Sequence, residues 1–205
     1  MNHLETTILL KNQYFILRHG ESEANIAKQI RSNPDEGITT YGLTDTGKSQ
    51  VAISTQQAMR RGWLNDKTII YSSDFKRAAE TAKVVEETLH TGKIQLSSAL
   101  RERYFGNWDG KHSRNYIRVW GQDISGFAQS NNGVESVSEV LDRVTRLIGE
   151  IETRYDGKNI LLVSHGDPLH ILQAAFAGLK PSKHRLLKNI KVAEIRKLTF
   201  KVRKS

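Results

Sequence analysis

Ile160-Leu161-Leu162-Val163-Ser164-His165-Gly166-Asp167-Pro168 reads as the end of a buried strand running into a helix. Residues 160–163 are all apolar and leave no polar face, the pattern of a parallel strand covered on both sides. Asp167-Pro168 offers an N-cap followed by a proline at the first helical position, so a helix is expected to about Ala177. The same grammar recurs upstream. Gln13-Tyr14-Phe15-Ile16-Leu17 is a strand, and Arg18-His19-Gly20-Glu21-Ser22 follows it, with a helix expected from Ser22. Residues 68–71 and 94–96 give two more short strands. A helix over 74–89 carries Phe75, Ala78, Ala79, Ala82, Val85 and Leu89 in register, and one over 44–63 carries Val51, Ala52, Ala58, Met59 and Trp63 on one side. Ser136 and Glu139 form a capping-box pattern, and Val137, Val140, Leu141, Val144, Leu147, Ile148 and Ile151 then keep a 3.6-residue period. Leu198, Phe200 and Val202 alternate with Thr199, Lys201 and Arg203, which predicts a last, one-sided strand. Short apolar runs alternating with helical stripes predict an α/β fold.

The length of 205 residues suits a single domain, 1–205, able to bury a core without staples. The periodicity breaks down between Glu102 and Val134. A loop-rich insertion, about 103–134, is expected there, with a short helix near 112–120, as in a lid or binding loop. The chain has no cysteine, which excludes a disulfide framework and a thiolate nucleophile. No apolar run approaches the ~18 residues of a membrane helix, and residues 1–10 lack a signal-peptide pattern. The expectation is a soluble cytoplasmic protein. The net charge of +9 is unevenly placed: residues 180–205 hold ten Lys/Arg and one acid, so the body is neutral.

In a parallel sheet the segments after the strands lie at one end, where ligands bind. Arg18, His19, Arg77, Glu102 and His165 could therefore share a pocket. Two arginines and two histidines next to helix starts, where backbone N–H groups and the helix dipole favour anions, suit a phosphate. Gly20 and Gly166 are expected to let the backbone approach an oxyanion. A neutral imidazole in such a pocket is a competent nucleophile, and its cationic neighbours keep it unprotonated. Glu102 is the candidate acid for the leaving oxygen. No metal-ligand spacing is present, so neither a metal nor another cofactor is expected.

Arg18-His19-Gly20-Glu21, the Ser-Ser-x-x-x-Arg-Ala-x-x-Thr-Ala string over 72–82, and Ser164-His165-Gly166 resemble the histidine phosphatase superfamily, in its phosphoglycerate mutase-like branch 1. Leu43-Thr44-x-x-Gly47 and Leu100-Arg101-Glu102-x-x-Phe105-Gly106-x-Trp108-x-Gly110 are also similar. Five segments in the family's order span nearly the whole chain. The resemblance implies a three-layer α/β/α fold on a mostly parallel sheet and a phosphohistidine on His19. It also implies phosphoryl binding by Arg18, Arg77 and His165, with Asn25 as a further phosphate contact. Glu102 would be the proton donor, and no metal would be needed. The chain departs from the family's Pro-Leu at Asp74-Phe75, where Asp74 could cap the helix.

Several residues also have blander readings. Arg77 could pair with Asp74, Glu102 with Arg101 or Arg103, and Asn25 could be a solvated helix residue. Arg103, Lys111, Arg114 and Arg118 could read a second anionic group or be loop charges. Trp108 and Trp120 read as packing residues under the loop, although aromatics there could stack on a base or sugar. His3, His90, His112, His170 and His184 have no supporting pattern. Between Glu102 and His165 lie 62 residues without an Arg-Arg pair or a proline, the features that resemblance associates with mutases. The expectation is thus a metal-independent phosphomonoesterase for a small phosphorylated metabolite, with Gly166 also in the substrate site. Phosphoglycerate mutase activity is the first alternative. A phosphate-binding regulatory module with an RNA- or membrane-binding basic tail is the second. The tail reads more simply as the charged side of an edge strand, so nucleic acid and membrane are not expected partners. The oligomeric state stays open, a dimer included.

Overall fold

The computed structural model describes residues 1–125 and 131–201, with the Ser125 and Asn131 side chains excepted. Among the described residues five strands form one sheet: β1 (Gln13–Arg18), β2 (Ile69–Ser72), β3 (Gln95–Leu96), β4 (Asn159–Ser164) and β5 (Ile195–Lys197). Their spatial order is β3-β2-β4-β1-β5. The first four are parallel, with Arg18 opposite Ser164 and Ser72 opposite Val163, so their carboxyl ends align. Only β5 runs antiparallel, on the edge beside β1.

The alternation of side chains along the strands divides the core in two. Tyr14, Ile16, Tyr71, Ile160 and Leu162 point to one face and meet α6 (Val137–Arg154) and α7 (Gly166–Phe176). Phe15, Leu17, Ile70, Leu161 and Val163 point to the other and meet α3 (Asp45–Arg60) and α4 (Lys76–Leu89). Residues 160–163 are wholly buried, as their unbroken apolarity requires, and each such side chain contributes about 1.5–3 kcal/mol. The result is the three-layer α/β/α arrangement.

Local signals explain several helix starts. The Ser136 hydroxyl accepts from Glu139 N–H at 3.1 Å, and the Glu139 carboxylate accepts from Ser136 N–H at 2.7 Å. Thr44 caps α3 by accepting from Gly47 N–H at 2.9 Å. Two short helices, α1 (Glu23–Ile26) and α2 (Pro34–Gly37), follow β1. The fifth, α5 (Tyr116–Ser125), lies in the insertion after the 3-10 turns Gly106–Trp108 and Ser113–Asn115.

Four local expectations are corrected. His165, not Asp167, is the N-cap of α7, and Pro168 sits inside the first turn, where its missing N–H is still not needed. Phe75, not Asp74, is the N-cap of α4, because Asp74 is drawn to Arg101 by hydrogen bonds of 2.8 and 2.6 Å. Met59 faces outward, and the buried stripe of α3 is Gly47, Val51, Thr55 and Ala58. Thr55 belongs there because its hydroxyl donates to the Val51 carbonyl. The last strand lies at Ile195–Lys197 rather than after it; the expected positions Val202 and Arg203 fall outside the described residues.

The insertion is stitched to the loop after α1. The Asp109 carboxylate accepts from Ser32 N–H, the Ser32 hydroxyl and Asn33 N–H. Beneath it Ile30, Phe105, Val119 and Val134 form a small separate core, with Trp108 packed against it.

Candidate active site

The chain after β1 turns toward the α3/α4 face, and the chain after β4 turns into α7 on the opposite face. Adjacent parallel strands whose connections diverge leave a crevice at their carboxyl ends. His19 and His165 are the residues that follow β1 and β4, and they meet in it. Their ring centroids are 5.1 Å apart, and His19 N–H donates to the Ser164 carbonyl at 3.0 Å. Both rings are buried.

Each ring is held by a specific partner. His19 Nδ1 lies 2.8 Å from the Gly20 carbonyl, which can only accept, so the proton sits on Nδ1 and Nε2 keeps its lone pair. Arg77 Nε donates to that lone pair at 3.2 Å. His165 Nε2 hydrogen-bonds with the Ser73 hydroxyl at 3.0 Å, which leaves Nδ1 open. Ser164 Oγ donates to the Leu100 carbonyl at 2.6 Å and fixes the approach to Glu102. The motif serines thus orient His165 and the acid.

Arg77 is buried in the first turn of α4. Its Nη2 donates to the Arg31 carbonyl at 2.9 Å, and it makes no pair with Asp74. The Arg18 guanidinium is anchored by the Ile190 carbonyl at 2.9 Å. The Glu102 carboxylate accepts from Arg103 N–H at 2.9 Å, while the Arg101 and Arg103 guanidinium groups bond elsewhere. Asn25 Oδ1 accepts from the N–H and hydroxyl of Ser22, so its amide nitrogen is the group left for a ligand. Arg18, His19, Asn25, Arg77, Glu102 and Gly166 line one pocket of about 170 Å³. His165 lies against His19.

Burial, reinforced by Arg77 and Arg18, holds both histidines well below the usual imidazole value of 6.5, so both are neutral near pH 7. Desolvation pushes the Glu102 carboxyl up, against the opposing pull of Arg77. Arg18 Nε, Arg77 Nη1 and His165 Nδ1 are buried without a hydrogen-bond partner among the described residues. Unpaired buried donors cost about 1–3 kcal/mol each, and converging ones form a cradle for an oxyanion. Among the described residues no group of three His, Asp or Glu side chains is placed to hold a metal ion.

The two glycines sit in different surroundings. A Cβ on Gly20 would lie 2.6 Å from the Gly47 carbonyl oxygen, so Gly20 is required by the packing of α3. A Cβ on Gly166 would meet only Arg18, at 3.9 Å, so packing alone does not require glycine there.

Most of the other wall residues escaped the sequence reading, Trp120 excepted. Lys28, Arg31, Tyr116, Trp120, Asp167 and Arg185 also line the pocket. Arg185 comes from the basic C-terminal segment, where a surplus of charges hid it. Of the insertion cations, Arg103 is fully buried and bonded to Asp123 and Asp167, while Lys111, Arg114 and Arg118 are exposed. The one available signal was an arginine directly following the candidate acid.

The chain is 29% identical over 174 residues to a metal-independent phosphoserine phosphatase of Arabidopsis thaliana, covering 80% of this chain and 70% of the relative. It is also 29% identical to a 2,3-bisphosphoglycerate-dependent phosphoglycerate mutase of Parvibaculum lavamentivorans, covering 80% and 79%. A mycobacterial glucosyl-3-phosphoglycerate phosphatase solved with VO3 shares the fold at a TM-score of 0.74 and 20% identity, over 93% of this chain and 99% of that one. The model of the histidine phosphatase superfamily, branch 1, matches residues 14–204, and the chain belongs to that family.

Proposed function

We propose that the protein is a metal-independent phosphomonoesterase acting on a small phosphorylated metabolite through a phosphohistidine on His19. The observation that carries this reading is the His19 ring, with its Nδ1 proton on the Gly20 carbonyl and its Nε2 lone pair among unpaired cationic donors. Arg18, Arg77, His165 and the Asn25 amide bind the phosphoryl oxygens, and the Gly166 N–H at the start of α7 adds a donor.

His19 Nε2 attacks phosphorus as the ester P–O bond breaks, and Glu102 gives its proton to the leaving oxygen. The ring gains positive charge as the N–P bond forms, and the Gly20 carbonyl stabilises it through Nδ1–H. Glu102, now ionised, takes a proton from water as that water attacks phosphorus. The N–P bond breaks, inorganic phosphate leaves, and His19 returns to its neutral form. On this reading residues 1–205 act as one domain, with 103–134 as its lid.

A phosphomonoester panel with excess chelator tests the reaction. Turnover that survives chelator and disappears in His19→Ala is expected. Loss of turnover in chelator, or equal turnover by His19→Ala, overturns it. The mutase reading is favoured by the Parvibaculum lavamentivorans relative named for that activity; isomerised phosphoglycerate in place of released phosphate would establish it.

A further inference from the structure

We propose that Arg185 is a specificity-determining residue that selects phosphomonoesters whose leaving group carries a second anionic group, a carboxylate or a phosphate. The proposal rests on the phosphatase reading and adds to it what lies beyond the transferred phosphoryl group.

Arg185 sits in the 3-10 turn Pro181–Leu186, after α7. Arginines in such charged segments ordinarily reach solvent, yet this side chain is only 11% exposed and lines the pocket. Its guanidinium carbon lies 3.7 Å from the Trp120 ring centroid, and Trp120 stacks on Tyr116 at 5.1 Å with 6° between the planes. The planar group is therefore held flat against an aromatic wall, its orientation set in advance. One terminal nitrogen pairs with Asp167, and the other lies 3.0 Å from His170 Nδ1. Nε is buried and has no partner among the described residues.

An unpaired buried N–H is costly, and here it belongs to a cation in a substrate pocket. Asp167 does not depend on Arg185 alone, because Arg103 at 3.3 Å and Trp120 Nε1 at 3.2 Å also donate to it. Burial lowers the Arg185 pKa to about 9, which still leaves it charged at neutral pH. Arg18 and Arg77 already account for the phosphoryl group. Lys28, exposed on the same pocket, adds a further positive charge. A monoester with a neutral alcohol would leave the Arg185 donor unsatisfied, whereas a second anion would complete it.

Non-hydrolysable phosphonates test this without requiring turnover. Dissociation constants are measured calorimetrically for propylphosphonate, phosphonobutyrate and propane-diphosphonate on the wild-type protein, Arg185→Met and Lys28→Met. The wild type is expected to bind at least one dianionic-ended ligand about tenfold or more tightly than propylphosphonate. The carboxylate and diphosphonate arms identify which second anion it takes. Arg185→Met is expected to bring the ratio close to one, and Lys28→Met, an exposed change, to lower it several-fold. A ratio near one in the wild type, or an undiminished ratio in Arg185→Met, overturns the proposal and leaves the phosphatase reading standing. Failure of the wild type to bind any phosphonate overturns both.

Discussion

Replacing Glu102 by Gln separates the two half-reactions. The change keeps an acceptor for Arg103 N–H, which bonds the carboxylate at 2.9 Å, so the loop geometry is retained. What is lost is the carboxyl proton, whose retention burial favours. General acid catalysis contributes ~10²–10⁴ in rate, or ~3–5 kcal/mol, when the leaving group needs a proton. An alkyl phosphate should therefore lose that factor in kcat/KM. An aryl phosphate whose leaving group departs as a stable anion should be phosphorylated on His19 at nearly the wild-type rate. The water step still lacks its base, so the aryl substrate should give a burst of phenolate, one per active site, followed by slow turnover. Stopped-flow absorbance reads the burst, and steady-state kinetics reads the alkyl ester. An equal loss on both substrates with no burst would refute the assigned role of Glu102.

Three stability predictions follow from buried contacts. Arg103→Met leaves Asp123 and Asp167 without their shared cation, and urea unfolding should show a loss of about 3–5 kcal/mol. Gly20→Ala forces a methyl against the Gly47 carbonyl at 2.6 Å, and the same assay should show a loss of about 1–3 kcal/mol. His170 is lowered to about 4 by burial first, then by the nearby His184, Arg18 and Arg196. Between pH 6.5 and about 4 the unfolded chain binds a proton there that the native state refuses, so stability falls as pH falls through this window. The share from His170 approaches ~3 kcal/mol at the acid end, and His170→Gln should flatten the pH dependence of the urea midpoint.

The fold was legible wherever one local rule decided the outcome. Residues 160–163 could only be a covered strand, and the Ser136–Glu139 box opened α6 as the pattern required. The strand–turn–histidine junctions placed His19 and His165 together because a parallel sheet leaves its carboxyl ends no other arrangement. The misplaced caps show where tertiary contacts override local chemistry: Asp74 and Asp167 are good capping residues, but Arg101, Arg103 and Arg185 hold them. The packing reason for Gly20 is not legible in the sequence, because Gly47 lies 27 positions away. Arg185 was invisible for a related reason. Charge counting treats the ten basic residues of the tail alike, and the fold is what turns Arg185 into the pocket.

The central claim is a covalent phosphoryl group on His19, and the stereochemistry at phosphorus tests it most directly. A phosphorothioate ester made chiral with heavy oxygen isotopes is hydrolysed in isotopically labelled water, and the configuration of the released thiophosphate is determined. Two successive in-line displacements, first by His19 and then by water, predict net retention. Net inversion would mean a single direct attack by water and would contradict the account.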